Sequence, residues 1–164
     1  MESIKGRVAI VGTGAVPTGK YADRPAMLAA CLAIKEAIED AGISKDDIDL
    51  VMPTGSLHDR RFNGGLNFGS LIEALGLQGK ANNLYIFTGG SSGGTILKVA
   101  AGLIATGMAK VALAVQADKL ATSQAAMGAQ FTGADPEWEA PFGHLMNATL
   151  AMPATRYIYE TGTT

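Results

Sequence analysis

Four short apolar runs, RVAIVG (residues 7–12), LVMPTG (50–55), NLYIF (83–87) and KVALAV (110–115), punctuate the chain, and the intervals between them carry apolar residues at helical spacing. Short β-branched runs bounded by glycine read as buried strands, because a strand covered on both faces loses the apolar–polar alternation of a half-exposed sheet. In RPAMLAACLAIKEAIEDAG (24–42), Met27, Cys31, Ile34, Ile38 and Ala41 alternate spacings of four and three, and Gly42 stands where the helix must stop. ISKDDID (43–49) reads as a capped turn into the second strand, SLHDRRFNGGL (56–66) as a polar loop, and Asn67 to Leu77 as an amphipathic helix. Ile96, Val99, Ala100, Leu103 and Ile104 predict a further helix, ended by Gly107. The order β-α-β-α-β-α-β predicts an α/β layered fold with a parallel or mixed sheet.

Beyond the fourth strand the pattern changes. Residues 117–142 contain FTGADPEWEAPFG, whose glycines, prolines and acids around Trp138 predict an ordered functional loop, with Trp138 serving as dimer surface, loop packing or substrate lid. A last helical pattern covers roughly 144–160, and Pro153 within it is expected to kink or restart the helix.

Composition removes several function classes. At 164 residues and 48% hydrophobic content the chain suits one buried core. Thirteen basic against fifteen acidic residues give a formal charge of −2 with no basic run, which argues against nucleic acid as a partner. Cys31, the single cysteine, forms no internal disulfide, and residues 1–20 lack the layout of a signal peptide, so a cytoplasmic setting is expected. No apolar run approaches the roughly 20 residues of a membrane span, so membrane insertion is not expected.

Three motifs compete for the chemistry. GAVPTGKY (14–21) matches G-x-x-x-x-G-K, but Tyr21 stands where a phosphate-binding loop carries Ser or Thr, and Pro17 removes a backbone donor. GTG (12–14) likewise lacks the third glycine of a dinucleotide fingerprint, since position 17 is proline. An ordinary strand-to-helix loop is the reading here. The second motif, Gly89-Gly90-Ser91-Ser92-Gly93, satisfies G-x-S-x-G, and Asp118 or Asp135 followed by His144 keeps the chain order of a serine hydrolase with Ser91 as nucleophile. Only one strand follows this serine, however, and His58 precedes it, so hydrolysis by Ser91 stays a minor alternative. Ser91 and Ser92 are expected to cap the following helix, and Gly93, Gly94, Ala101 and Gly102 to let that helix approach its neighbours.

The third reading starts from the helix. GGSSGGTILKVAAGLIATGMAKVALAV resembles the region of the thiolase superfamily in which a reactive cysteine opens a buried helix: Cys, small residue, Ser, Gly, then a small-residue helix ending in Ala-Thr-Gly and an apolar strand. Counting back from Ala105-Thr106-Gly107 puts the cysteine position at Gly90. VAIVGTGAV resembles the first strand of that family, AIKEAIEDAGISKDDIDLV its first helix and second strand, and PFG (141–143) with RYIYETGTT (156–164) the segment after the loop domain of sterol-carrier-protein-type thiolases. In the family, GTT leads into a fifth strand and a second half that carries further catalytic residues.

The resemblance implies a thiolase-like layered α-β-α fold with a mixed sheet. It covers the N-terminal half only, residues 1–164, with a loop-domain segment at about 117–142, so an isolated fragment would be inactive. It further implies that the Gly90 backbone N–H polarises a thioester or ketone oxygen, and that Ser91, Ser92, Gly93, Phe142, Gly143 and His144 contact substrate. No metal and no separate cofactor are implied, coenzyme A arriving as part of the substrate. The implied partners are an acyl-CoA, a second copy joined through the third strand at NNLYIF, and a companion protein containing an OB-fold. Without a nucleophile such a site suits retro-aldol carbon–carbon chemistry on a lipid or steroid CoA ester, with a non-catalytic acyl-CoA or lipid-binding subunit as the alternative.

Overall fold

In the computed structural model, which describes residues 3–21, 23–55, 68–119, 135, 137–144 and 146–163, strand β1 (Leu50–Thr54) is the centre of the molecule. It pairs in parallel with β2 (Asn82–Asn83) on one edge and with β3 (Ala112–Gln116) on the other, and all five of its residues are buried. The register sets Leu50 opposite both Asn82 and Ala112, and Thr54 opposite Gln116. One residue clamps all three strands at their start. The Asp49 carboxylate accepts the N–H groups of Lys110 (2.8 Å) and Val111 (3.0 Å), while its backbone donates to the Val111 carbonyl and accepts the Asn82 N–H.

The third apolar run, expected as a strand over 83–87, keeps its ladder only at Asn82–Asn83. The reason lies in β1. The Val51 carbonyl accepts the Leu84 N–H, so alternate β1 residues face this edge, and the next in that row is Pro53, which has no N–H to give. Residues 84–87 are held instead by the Thr54 hydroxyl, which donates to the Ile86 carbonyl at 2.7 Å.

Alternation along the strands assigns two layers. Val51, Leu113 and Val115 face helices α1 (Ala26–Ala41) and α2 (Phe68–Leu75), packing with Ala30, Ile34, Leu71, Leu75 and Leu77. Leu50, Met52, Ala112 and Ala114 face α3 (Ser92–Ala105), packing with Ile96 and Ala100. Met52, Leu71 and Leu77 are fully buried, worth about 1.5–3 kcal/mol each in apolar transfer. An α-β-α sandwich results, as expected. Among the described residues its sheet is wholly parallel, without the antiparallel component of a mixed sheet. Gly42 closes α1 at φ +65°, Ser44 and Asp47 form a capping box over the 3-10 turn Lys45–Asp47, and Gly107 follows α3 at φ +76°.

The first apolar run departs from expectation. Residues 7–12 pair with no described strand, and Ile10 and Val11 are 73% and 63% exposed. The run continues as a segment laid along α1, whose carboxylates take its donors: Asp40 accepts the Thr13 N–H at 2.8 Å and Glu36 the Ala15 N–H at 3.0 Å. Gly12 and Gly14 make the approach possible, because a Cβ would stand 2.3 Å from the Ala37 carbonyl oxygen at Gly12 and 2.1 Å from that of Ala33 at Gly14.

The last helix, α4 (Met146–Thr161), runs unbroken through Pro153, so the expected restart does not occur. The polar loop 56–66 and most of 117–142 lie outside the described residues.

The glycines separate cleanly by what surrounds them. Gly14→Ala is expected to lower unfolding free energy in urea by about 2 kcal/mol or more through overpacking. Gly102→Ala, mid-helix with nothing within 4 Å of the added carbon, is expected to raise it by about 0.5–1 kcal/mol.

Candidate functional site

Helix α3 springs from a turn at the carboxyl end of the sheet, and its polar side chains are spent on building that turn. Gly89 takes φ +64°. The Ser92 hydroxyl, 1% exposed, donates to the Gly89 carbonyl at 2.6 Å and accepts the Thr88 N–H at 2.9 Å. The Ser91 hydroxyl donates to the Thr88 carbonyl at 2.9 Å. Thr95 pairs its hydroxyl with that of Thr88 and donates to the Ser91 carbonyl. The two serines therefore do not cap α3 in the expected sense: neither takes an N–H from the helix, and both bind the turn before it. The expected close approach also narrows to one glycine. A Cβ on Gly93 would meet the Gln116 Oε1 at 3.1 Å, whereas Gly94 and Gly102 have open surroundings.

Gly90 stands exposed at the head of the turn, with nothing within 4 Å of where a Cβ would lie. The space there would accept a side chain; the sequence supplies none. What the helix start offers is backbone N–H groups and the roughly half positive charge of a helix terminus, undiluted by any acidic residue in the first turn.

The remaining candidates sit elsewhere. Phe142 closes the 3-10 turn Ala140–Phe142, its N–H and that of His144 both going to the Glu139 carbonyl, and Gly143 takes φ +71°. His144 Nε2 is hydrogen-bonded to the Thr149 hydroxyl. With Ser91 turned back on Thr88 and His144 engaged at Thr149, no nucleophile–base pair of a hydrolase is assembled among the described residues. Trp138 lies exposed on a turn in which the Asp135 carboxylate accepts the N–H groups of Glu137 and Trp138. Cys31 belongs to the opposite face of the sheet, where α1 and α2 border a groove of about 250 Å³, and burial raises its pKa.

At GAVPTGKY the donors are already taken: Glu36 binds the Ala15 N–H, and the Tyr21 hydroxyl donates to the Pro17 carbonyl at 2.7 Å. Two carboxylates at this loop oppose a phosphate. Among the described residues no group of three His, Cys, Asp or Glu is placed to hold a metal ion, and no helix is long and apolar enough to cross a membrane.

Sequence reasoning did not single out the ends of the strands, where Gly55, Tyr85 and Gln116 meet Asp118. Gln116 Nε2 donates to Asp118 Oδ2 at 3.2 Å, and the Tyr85 hydroxyl donates to the Gly55 carbonyl at 3.4 Å. Burial raises the Tyr85 pKa, and the Asp118 charge adds to it. The signal was available, since parallel sheets bind ligands beyond their carboxyl ends.

No protein-family model matches the chain. An acetyl-CoA acetyltransferase of Methanocaldococcus jannaschii is 34% identical over 158 residues, covering 96% of this chain and 40% of the relative. A steroid side-chain-cleaving aldolase of Thermomonospora curvata is 31% identical over 180 residues, covering 100% and 42%. The solved structure of an Ltp2-ChsH2(DUF35) aldolase superposes with a TM-score of 0.67 at 29% identity, over 95% of this chain and 39% of that one. The chain is thiolase-like, in sequence and in fold. It spans about two-fifths of the length of the curated relatives it matches.

Two measurements test this thiolase-like turn and its surroundings. Ser92→Ala, which strips the buried Thr88 N–H of its acceptor, is expected to cost about 1–3 kcal/mol in urea unfolding, against about 0.5 kcal/mol for Ser91→Ala. By NMR titration the Tyr85 hydroxyl is expected above the ordinary tyrosine range, and Asp118→Asn is expected to bring it only part of the way down, since burial is the larger cause.

Proposed function

We propose that this thiolase-like chain forms the N-terminal part of an acyl-CoA-handling enzyme that breaks or makes a carbon–carbon bond by retro-aldol chemistry on a lipid or steroid CoA ester. The observation that carries the reading is Gly90: a helix start with exposed backbone and no nucleophilic side chain. The aldolase names among its relatives support the same direction.

The chemistry suits such a site. In a 3-hydroxyacyl thioester the hydroxyl loses its proton to a base, the Cα–Cβ bond breaks to release an aldehyde or ketone, and the electron pair passes into the thioester as an enolate. Protonation at Cα, by the acid formed from that base, completes the reaction. An N–H at Gly90, at the positive end of α3, would stabilise the enolate oxygen, and groups aimed at developing charge are among the largest catalytic contributions. No acyl-enzyme is formed, so no cysteine is required. Ser91, Ser92 and Gly93 shape the turn against which the thioester would lie, and Phe142, Gly143 and His144 would approach it from the loop segment.

The proposed assembly is a cytoplasmic homodimer with an OB-fold companion. The sheet edge beyond β2 supports the first part, because Leu84 and Phe87 are 36% and 58% exposed along NNLYIF. The companion is suggested by the two-protein title of the structural relative.

The test is incubation of the full chain and its companion with a 3-hydroxyacyl-CoA, following the shortened acyl-CoA and the released carbonyl compound by mass spectrometry. Both products are expected in equal amounts; binding without cleavage would favour the non-catalytic subunit instead. A second measurement addresses the helix start alone. Gly90→Cys is expected to leave stability within about 0.5 kcal/mol and to alkylate with iodoacetamide at least about tenfold faster than Cys31, since a helix N-terminus lowers a thiol pKa while burial raises that of Cys31. Equal rates would contradict an activating helix start.

A further inference from the structure

Three polar side chains from separate segments converge beyond the carboxyl ends of the parallel strands. Gln116, the last residue of β3, reaches two ways: its Nε2 donates to Asp118 Oδ2 at 3.2 Å, and its Oε1 lies 3.1 Å from where a Cβ on Gly93 would stand. Gly93 belongs to the first turn of α3, so this one side chain links the helix start to Asp118. Asp118 lies over the turn that ends β1, its Oδ2 only 2.7 Å from a notional Cβ on Gly55, which takes φ +79°. Tyr85 reaches the same turn from the segment after β2, donating to the Gly55 carbonyl. The cluster is thus fitted around two glycines whose missing side chains leave it room. Gln116 and Asp118 remain exposed to solvent there.

We propose that Asp118, oriented by Gln116 and faced by Tyr85 across the Gly55 turn, is the residue that selects acyl-CoA esters carrying a hydroxyl on the acyl chain. The inference rests on the acyl-CoA reading above and adds to it which oxidation state the chain accepts. An ionised carboxylate accepts hydrogen bonds and donates none. A hydroxyl therefore pairs with it, whereas a ketone oxygen at the same place meets like partial charge and a bare methylene strips the carboxylate of water without replacement. The Gln116 amide holds the carboxylate in one orientation. Tyr85, whose hydroxyl stays protonated because burial and the nearby charge both oppose its ionisation, keeps the wall beside it neutral. This selection matters because a 3-hydroxy ester is the substrate for aldol-type cleavage, while a 3-keto ester is the substrate for thiolytic cleavage.

The experiment compares octanoyl-CoA, 3-hydroxyoctanoyl-CoA and 3-oxooctanoyl-CoA by titration calorimetry on the full chain with its companion. The hydroxy ester is expected to bind at least about tenfold more tightly than the other two. Asp118→Ala is expected to bring the three within about twofold, with octanoyl-CoA unchanged or improved, because one hydrogen bond to a charged group has been removed. Asp118→Asn, nearly isosteric and able to donate, is expected to raise the 3-oxo ester relative to the 3-hydroxy ester, and it carries the test if the alanine variant fails to fold. If the unaltered protein binds the three esters equally, or if discrimination survives both substitutions, the proposal is wrong while the acyl-CoA reading stands. If it binds none of them, the acyl-CoA reading falls and this inference with it.

Discussion

The clamp made by Asp49 is the interaction on which the geometry of the sheet depends. A five-residue strand buried on both faces has no polar face to fix which way it sits, and a slip of one residue would exchange the sets of side chains facing α1 and α3. By engaging Lys110, Val111 and Asn82 together, Asp49 sets the start of all three strands at once. The far ends then finish level, with Thr54 opposite Gln116, and it is there that Gly55, Asp118 and the turn before α3 come within reach of one another. Register at one end of the sheet is thus geometry at the other.

The turn before α3 shows how a hydroxyl-rich sequence can produce a backbone site. Thr88, Ser91, Ser92 and Thr95 exchange hydrogen bonds among themselves and with the carbonyls around them. Hydroxyls committed in this way are structural members. They hold the peptide groups at Gly89 and Gly90 in a fixed attitude, and preorganised N–H donors stabilise developing charge without reorganising as the charge forms.

How much of this was legible follows from where each determinant resides. Helices α1 and α3 could be read from local spacing because their apolar stripes and terminal glycines lie within a few turns of chain. Strands β1 and β3 could be read because burial on both faces leaves a continuous apolar run. The run at 7–12 looks the same as these, yet strand pairing belongs to the partner as much as to the segment, and the donors just beyond it, at Thr13 and Ala15, go to Asp40 and Glu36 of α1. The shortening of the ladder at 82–83 is written at Pro53, some thirty residues upstream, and becomes visible only once the register shows which edge that proline faces. The site divides in the same way. The exposed glycine at the helix start was identifiable from a pattern of neighbours, whereas the meeting of Gln116 and Asp118 with the Gly55 turn joins segments more than sixty residues apart, and local spacing carries no trace of it.

Glycines at the two ends of this design answer to different pressures. At Gly12, Gly14 and Gly55 an added carbon would collide with neighbouring atoms, so the fold itself enforces the residue. At Gly90 nothing within 4 Å resists one. A lineage could therefore gain or lose a reactive group at this point without disturbing the scaffold, and selection on folding would be blind to the exchange. Whether such a protein forms a covalent intermediate would be decided at a single permissive position, leaving the surrounding architecture free to be inherited by more than one kind of reaction.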